Sequence, residues 1–306
     1  MILFLFNVLI FVLEFFQLIG KVGSALFERF KQFIFAQPKK LIKGQTVLIT
    51  GGGGAIGRQL AIKLGKEGAK IIVWDINAYK GEETIREVRK KGGLGFFYQV
   101  DVSDFKAVGD ALAKIYETLG SIDILINNAG ILNALPLTQL GERAITDTIR
   151  INLLAQIWTT KQILPRMIAS GKGQIVAISS NSAIYGKTFL TDYSASKAGI
   201  IGFMSSLEEE LRYLKKDFIK LTTICPAAID SGLSQAVETR FPRLLPILDV
   251  NRATDIMVDN ILREDAFVIM PTGYKILYYI LRNLPREIEV LVRDFIGNTV
   301  EAKHVD

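Results

Sequence analysis

The tightest constraint on this chain lies at residues 46–65, where TVLIT runs into GGGGAIG and on into RQLAIKLG. A short β-branched run, a glycine loop and an amphipathic segment, in that order, describe a strand that turns sharply into a helix. Glycine keeps Cβ atoms out of the turn, so backbone N–H groups and the positive end of the helix dipole face whatever lies above it. Such a turn suits an anion, above all a pyrophosphate. The loop reads in two registers. Gly52, Gly54 and Gly57 match GxGxxG, a weak signal alone. From Thr50 the run reads TGxxxGxG through Thr50, Gly51, Ala55, Ile56 and Gly57, with Gly53 inside the loop and Ala55 in the middle glycine position.

Further along, short apolar runs alternate with segments of helical spacing. The runs are KIIVW (70–74), GFFYQV (95–100), IDILIN (122–127), QIVAIS (174–179), IKLTTI (219–224) and AFVIM (266–270). Helical spacing marks 57–67, 78–91, 104–119, 142–169 and 195–214. Continuous apolar strands alternating with amphipathic helices predict an α/β fold, a doubly wound parallel sheet of the Rossmann type covered on both faces. With 49% of 306 residues apolar, a large core is available. The expected divisions are a hydrophobic segment and basic linker at 1–40, a nucleotide-binding catalytic domain at 41–273, and an amphipathic extension at 274–306. The extension carries apolar residues at helical spacing on both sides of Pro285; it reads either as a membrane-contacting or substrate-covering segment or as a helix pair closing the core.

The first twenty residues, MILFLFNVLIFVLEFFQLIG, are about the length that crosses a hydrocarbon core. Lys21, Arg29, Lys31, Lys39 and Lys40 follow and would hold the remainder on the cytosolic side. No basic stretch precedes the run, which argues against a cleaved signal peptide. Glu14 leaves a monotopic or hairpin insertion open beside a simple span, and packing of this helix on the domain or on a partner is the remaining reading. Net charge is +6, but no basic stripe interleaved with aromatics points to nucleic acid. The charge follows the apolar run and points to membrane.

Few chemistries are open. Cys225 is the only cysteine and His304 the only histidine, so a disulfide framework, a thiolate cluster and a histidine-based triad are excluded or nearly so. His304, two residues from the end, reads as mobile tail. Asp75, at the end of the second strand and about twenty residues past the glycine loop, is placed to accept hydrogen bonds from adenosine ribose hydroxyls. Its carboxylate would repel a 2′-phosphate, which favours NAD over NADP; Arg58, at the helix start, keeps NADP as the less favoured cofactor. An N-cap of the next helix is the bland role for Asp75. In YSASK, Tyr193 and Lys197 stand four apart on one helix face. An ammonium beside a phenol favours the phenolate, so Tyr193 could take and return an alcohol proton. Ser180 ends the preceding strand.

With these parts in order, the chain resembles the short-chain dehydrogenase/reductase family over about 43–272: TGGGGAIG, Asp75, Asp101-Val102, Asn127-Asn128-Ala129-Gly130, Asn152, Ser180 and YSASK. The resemblance implies that Tyr193 is the acid/base, that Lys197 lowers its pKa and holds the nicotinamide ribose, that Ser180 orients the substrate oxygen, and that Asn152 anchors a water in the proton relay. It implies adenine contacts from Asp101 and Val102, and a cofactor cleft lined by Asn128, Ala129 and Gly130. Two departures stand out: Ala55 for glycine, and Pro226-Ala227-Ala228-Ile229-Asp230-Ser231 for PGxVxT. There Pro226 and Ile229 keep the pattern and Ser231 keeps a hydroxyl for the nicotinamide carboxamide. WDIN (74–77), FPRLLPILD (241–249) and the apolar ends resemble the membrane-bound branch with the retinol dehydrogenases and the lipid-droplet 17β-hydroxysteroid dehydrogenases.

The implied activity is interconversion of a lipophilic alcohol (retinoid, steroid or fatty alcohol) and its carbonyl with NAD(H). The resemblance places it at the endoplasmic reticulum or lipid droplets, facing the cytosol, as a homodimer. Two other readings stay open: an NADPH-dependent lipid carbonyl reductase, and a catalytically silent lipid-droplet or endoplasmic-reticulum scaffold.

Overall fold

A computed structural model describes residues 2–34, 38–232, 237–238, 240–297 and 299–300. His304 lies outside them, as does part of the segment after Ser231. The chain divides into two compact units, residues 1–40 and 41–306. The first is a single helix, α1 (Ile2–Ile34). Its stretch Phe6–Phe27 has mean hydropathy 1.7 and exposed side chains, and it is long and apolar enough to cross a membrane. The helix continues well past Lys21, where the apolar run of the sequence stops.

The second unit is built on seven parallel strands: β1 (Thr46–Thr50), β2 (Lys70–Asp75), β3 (Leu94–Gln99), β4 (Ile124–Asn127), β5 (Gly173–Ile178), β6 (Ile219–Pro226) and β7 (Phe267–Met270). Their order across the sheet is β3-β2-β1-β4-β5-β6-β7. The central strands are buried at nearly every position because both faces are covered. On one face Val47, Ile49, Ile71, Val73, Ile124 and Ile126 pack beneath α2 (Ala55–Lys66), α3 (Ala78–Lys90) and α8 (Val250–Arg263). On the other, Leu48, Ile72, Trp74, Leu125 and Ile175 meet α4 (Phe105–Leu119), α6 (Ala155–Ser170) and α7 (Thr191–Tyr213). The expected doubly wound α/β fold is the observed one.

Local chemistry sets the helix starts. Asn77 caps α3 by accepting from Lys80 N at 3.0 Å, Asp104 caps α4, and Asp249 caps α8. Asp75 is therefore not a helix cap. The segment read as one helix over 142–169 is two, α5 (Glu142–Ile149) and α6, joined by a π-helical turn at Arg150–Leu154. Beyond β7, Pro285 separates α9 (Thr272–Leu281) from α10 (Arg286–Ile296). Tyr274 and Ile296 pack with Cys225, Leu245 and Ile269 in a third apolar cluster. The outward faces of this pair leave Ile276, Tyr279, Ile280, Leu291 and Phe295 exposed.

Candidate active site

Successive strands are added in one direction from β1 to β3 and in the opposite direction from β4 to β7, so the order of the sheet switches between β1 and β4, the point at which doubly wound sheets open a crevice above their C-terminal ends. The glycine loop leaves β1 on one side of that crevice, and Asn128-Ala129-Gly130 leaves β4 on the other. Thr50 Oγ1 accepts from Asn128 N at 3.0 Å and Ala129 N at 3.1 Å, while Asn128 Nδ2 donates to Thr50 O at 3.0 Å and Gly51 O at 3.1 Å. These bonds staple the two turns together. A Cβ on Gly57 would lie 2.4 Å from Gly51 O and 2.8 Å from Asn128 Nδ2, so only glycine fits there. Ala55 opens α2 in ordinary helical backbone and is exposed, so its methyl is accommodated.

The N-cap of α2, Gly54, makes no side-chain cap bond. The first-turn N–H groups are thus offered to a ligand, as a pyrophosphate requires. Asp75 closes the far end: Oδ2 accepts from Gly53 N at 2.8 Å and Oδ1 from Asn77 N at 2.9 Å. A side chain at Gly53 would meet this carboxylate. Arg58 is forked onto Glu83, with contacts of 3.0 and 3.2 Å, so its charge is largely compensated. The cradle fits a dinucleotide. Asp101 Oδ1 accepts from Ser103 N at 2.8 Å, and Val102 is buried beside Thr50 and Ala129.

The crevice widens into a cleft of about 910 Å³, counting the part open to solvent. It brings together Ile56, Asn128, Gly130, Ser180, Tyr193, Lys197, Pro226, Ile229 and Ser231 from the expected set. Thr50, Gly51, Gly53, Ala55, Gly57, Asp75, Asp101, Val102, Ala129 and Asn152 are not on its wall. α7 carries both Tyr193 and Lys197 because it begins at Thr191, earlier than helical spacing alone indicates.

Tyr193 is buried, and its hydroxyl is hydrogen-bonded to Ser180. Lys197 Nζ sits 5.5 Å from the Tyr193 ring centre and donates to Ile178 O at 2.9 Å. Burial pushes the Tyr193 phenol up to about 12, with the Ser180 hydrogen bond working against the rise. Burial also holds Lys197 down to about 8. The protein by itself therefore keeps the phenol protonated at neutral pH. Burial of both groups is the cause, since it disfavours both charged forms. Cys225, beside Lys197, is pushed up to about 12 by burial and is not a nucleophile at neutral pH.

Asn152 lies in the π-turn, fully buried. Its Oδ1 accepts from Ile131 N at 2.8 Å, and its Nδ2 donates to Ile131 O at 2.9 Å and to Ser196 Oγ at 3.1 Å. The side chain is a clamp on the backbone next to Gly130, and its carboxamide is already committed. π-turns mark functional positions with some regularity.

Several residues escaped the sequence reading. Asp192 is buried, and its Oδ2 accepts from Asn133 Nδ2 and Thr148 Oγ1, both at 2.9 Å, anchoring the start of α7 beneath Tyr193. Ser182 reaches Ser180 Oγ through its own N at 3.1 Å and Oγ at 3.0 Å. Ser179 Oγ donates to Lys197 O at 2.8 Å. Asn181, Lys187, Leu190 and Tyr274 also line the cleft. Adjacency to Tyr193 was the one available signal for Asp192; the others are set by folding of the loop between β5 and α7.

Residues 45–240 match the family model described as short chain dehydrogenase. Over 90% of this chain and 91% of the relative, the sequence is 35% identical to human epidermal retinol dehydrogenase 2. Human 17-beta-hydroxysteroid dehydrogenase 13 is 31% identical over 92% of this chain and 93% of that one. Among solved structures, NAD+-bound xylitol dehydrogenase superposes with a TM-score of 0.67 at 23% identity, covering 76% of this chain and 99% of its own, and so shares the fold. The chain belongs to the short-chain dehydrogenase family, in the branch of the retinol and 17β-hydroxysteroid dehydrogenases, and is an oxidoreductase acting on CH–OH groups.

Proposed function

We propose that this oxidoreductase interconverts a lipophilic alcohol and its carbonyl with NAD(H), Tyr193 exchanging the proton. The observation that carries the reading is the hydrogen-bonded Ser180–Tyr193 pair with Lys197 alongside, set in one cleft with the nucleotide turns. Bound NAD(H) supplies the hydride acceptor or donor. In the oxidation direction Ser180 Oγ holds the carbinol oxygen and Tyr193 Oη takes its proton as the C–H electron pair leaves; reduction reverses both transfers. The Lys197 ammonium stabilises the phenolate while it lasts. Asn152 acts through the backbone: clamping Ile131 fixes the cleft wall at Gly130. Asp75 and the compensated Arg58 favour NAD over NADP, through repulsion of a 2′-phosphate.

The substrate is a retinoid, steroid or fatty alcohol, in keeping with the names of the relatives and with a cleft walled by Ile56, Leu132, Leu190 and Ile229. The exposed apolar stretch Phe6–Phe27 attaches the protein to the endoplasmic reticulum or a lipid droplet, and the cations that follow it keep the catalytic unit cytosolic. A homodimer is the assembly we favour, by likeness to the family. The test is full-length protein in phosphatidylcholine vesicles with NAD and a panel of retinoids, steroids and fatty alcohols. NADH formation with at least one class supports the reading; formation with none, at protein shown to bind NAD, refutes it.

A further inference from the structure

Polar residues interrupt the apolar surface of α1 at a regular spacing. Between Phe6 and Phe27 they are Asn7, Glu14, Gln17, Lys21 and Ser24, at successive intervals of seven, three, four and three residues. A helix turns by roughly 100° per residue, so these intervals keep returning to one side, and all five positions fall within an arc of about 100°. The rest of the circumference, about 260°, carries only apolar residues and glycine. Val12 and Ile19, seven residues apart, stand opposite the stripe. Both surfaces are exposed along the whole of Phe6–Phe27. A narrow polar stripe on a broad apolar cylinder, continuous from Asn7 to Ser24, differs from a plain hydrophobic span, in which polar groups gather at the ends.

From this pattern we infer that α1 lies flat within a single phospholipid leaflet, its stripe turned to the headgroups and Val12 and Ile19 to the acyl chains. This rests on the membrane-attachment reading and names the surface that receives the helix. One leaflet suffices, so the same seat serves a bilayer or the monolayer around a lipid droplet. A span fits the stripe poorly. From Asn7 to Ser24 it covers about 25 Å of helix axis, most of the roughly 30 Å of a hydrocarbon core. Upright, the helix would carry polar groups through nearly every depth, with Glu14 less than one turn from the midpoint of Phe6–Phe27. A carboxylate at the bilayer centre is costly. Lying flat, all five polar residues reach the headgroups together, and Lys21 meets lipid phosphate. The broad apolar arc seats the helix deep in the acyl boundary. Pairing of stripes between two copies is disfavoured by charge. Copies inserted in one orientation run parallel, which sets Glu14 against Glu14 and Lys21 against Lys21.

The test adds the full chain to preformed, sealed phosphatidylcholine vesicles, recovers the vesicles by flotation, and applies a membrane-impermeant maleimide outside. Single cysteines are introduced as Asn7→Cys, Gln17→Cys and Ser24→Cys on the stripe and as Val12→Cys and Ile19→Cys opposite it. Cys225 is fully buried and leaves a quiet background. Labelling should follow the side of the helix, the three stripe positions reacting at least about tenfold faster than the two opposite. Labelling that follows depth, with Ser24→Cys reactive but Asn7→Cys and Gln17→Cys protected until detergent is added, shows a span. That result overturns the inference and leaves attachment intact. Stripe positions protected from reagent on both sides of the vesicle, as contact with another protein helix would make them, overturn it as well, and so does equal labelling at all five positions. A wild-type chain that does not float with the vesicles removes the attachment reading along with the inference. A measurement without variants decides independently: the wild-type chain should bind triolein droplets coated with a phosphatidylcholine monolayer within about twofold of its binding to vesicles. Exclusion from the monolayer, with vesicle binding retained, overturns the inference.

Discussion

Replacing Asn152 with alanine isolates what the π-turn does. The wild-type carboxamide makes three hydrogen bonds, at 2.8 and 2.9 Å to the two backbone groups of Ile131 and at 3.1 Å to Ser196. Alanine leaves the Ile131 N–H and C=O without their partners. Each orphaned buried group costs about 1–3 kcal/mol. Ile131 is only partly buried, and water can recover some of that, so a total of about 2–4 kcal/mol is the reasonable figure. For a unit of this size each kcal/mol moves Tm by about 2–4 °C, which gives a drop of about 4–16 °C. Thermal unfolding followed by circular dichroism on the detergent-solubilised protein, in parallel with kcat/KM, reads it out. A variant that melts within about 1 °C of wild type would show that the clamp contributes nothing and that the Asn152 side chain has some other purpose.

Two further outcomes follow from the site's electrostatics. The productive base is a phenolate, and burial holds the Tyr193 phenol up at about 12; each pH unit below that raises the phenolate fraction about tenfold. Alcohol oxidation should therefore climb with pH, log(kcat/KM) rising with a slope near one, until Lys197 loses its proton at about 8 and the slope falls away. Oxidation that is flat from about pH 6 to about pH 8 would remove Tyr193 as the titrating base. At the adenosine end, Asp75→Ala deletes the acceptor for Gly53 N and Asn77 N and the charge that repels a 2′-phosphate. It should weaken NAD binding and narrow the preference over NADP by about tenfold or more, measured by calorimetric titration; unchanged affinities for both cofactors would contradict the assignment.

The parts of this molecule that local chemistry dictates were legible in the chain. TVLIT at 46–50 is a strand over those same residues, because a five-residue apolar β-branched run before glycines has no competing structure. Ser180, Tyr193 and Lys197 fall in one cleft as the motif spacing implied, since a strand end and one helical turn fix them. What failed to show was set from a distance. Residues 142–169 carry helical spacing throughout, and the π-turn within them becomes intelligible only when Asn152 is seen to hold Ile131. The helix Val250–Arg263 passed unnoticed although its buried stripe of Ala253, Met257 and Ile261 packs on the sheet. Spacing shows that an ammonium is near Tyr193, but not that both groups are buried, which works against both charged forms. Asn181 and Lys187 have no motif, because their place in the wall depends on the path of one loop.

The most direct test is Tyr193→Phe. Phenylalanine fills the same space and removes only the hydroxyl bonded to Ser180. With the lipid alcohol that the wild-type protein turns over, the variant should lose at least about 100-fold in kcat, the lower bound for a positioned acid/base, while NAD affinity and Tm stay near wild type. Turnover within about twofold of wild type would contradict the assignment of Tyr193 as the proton carrier.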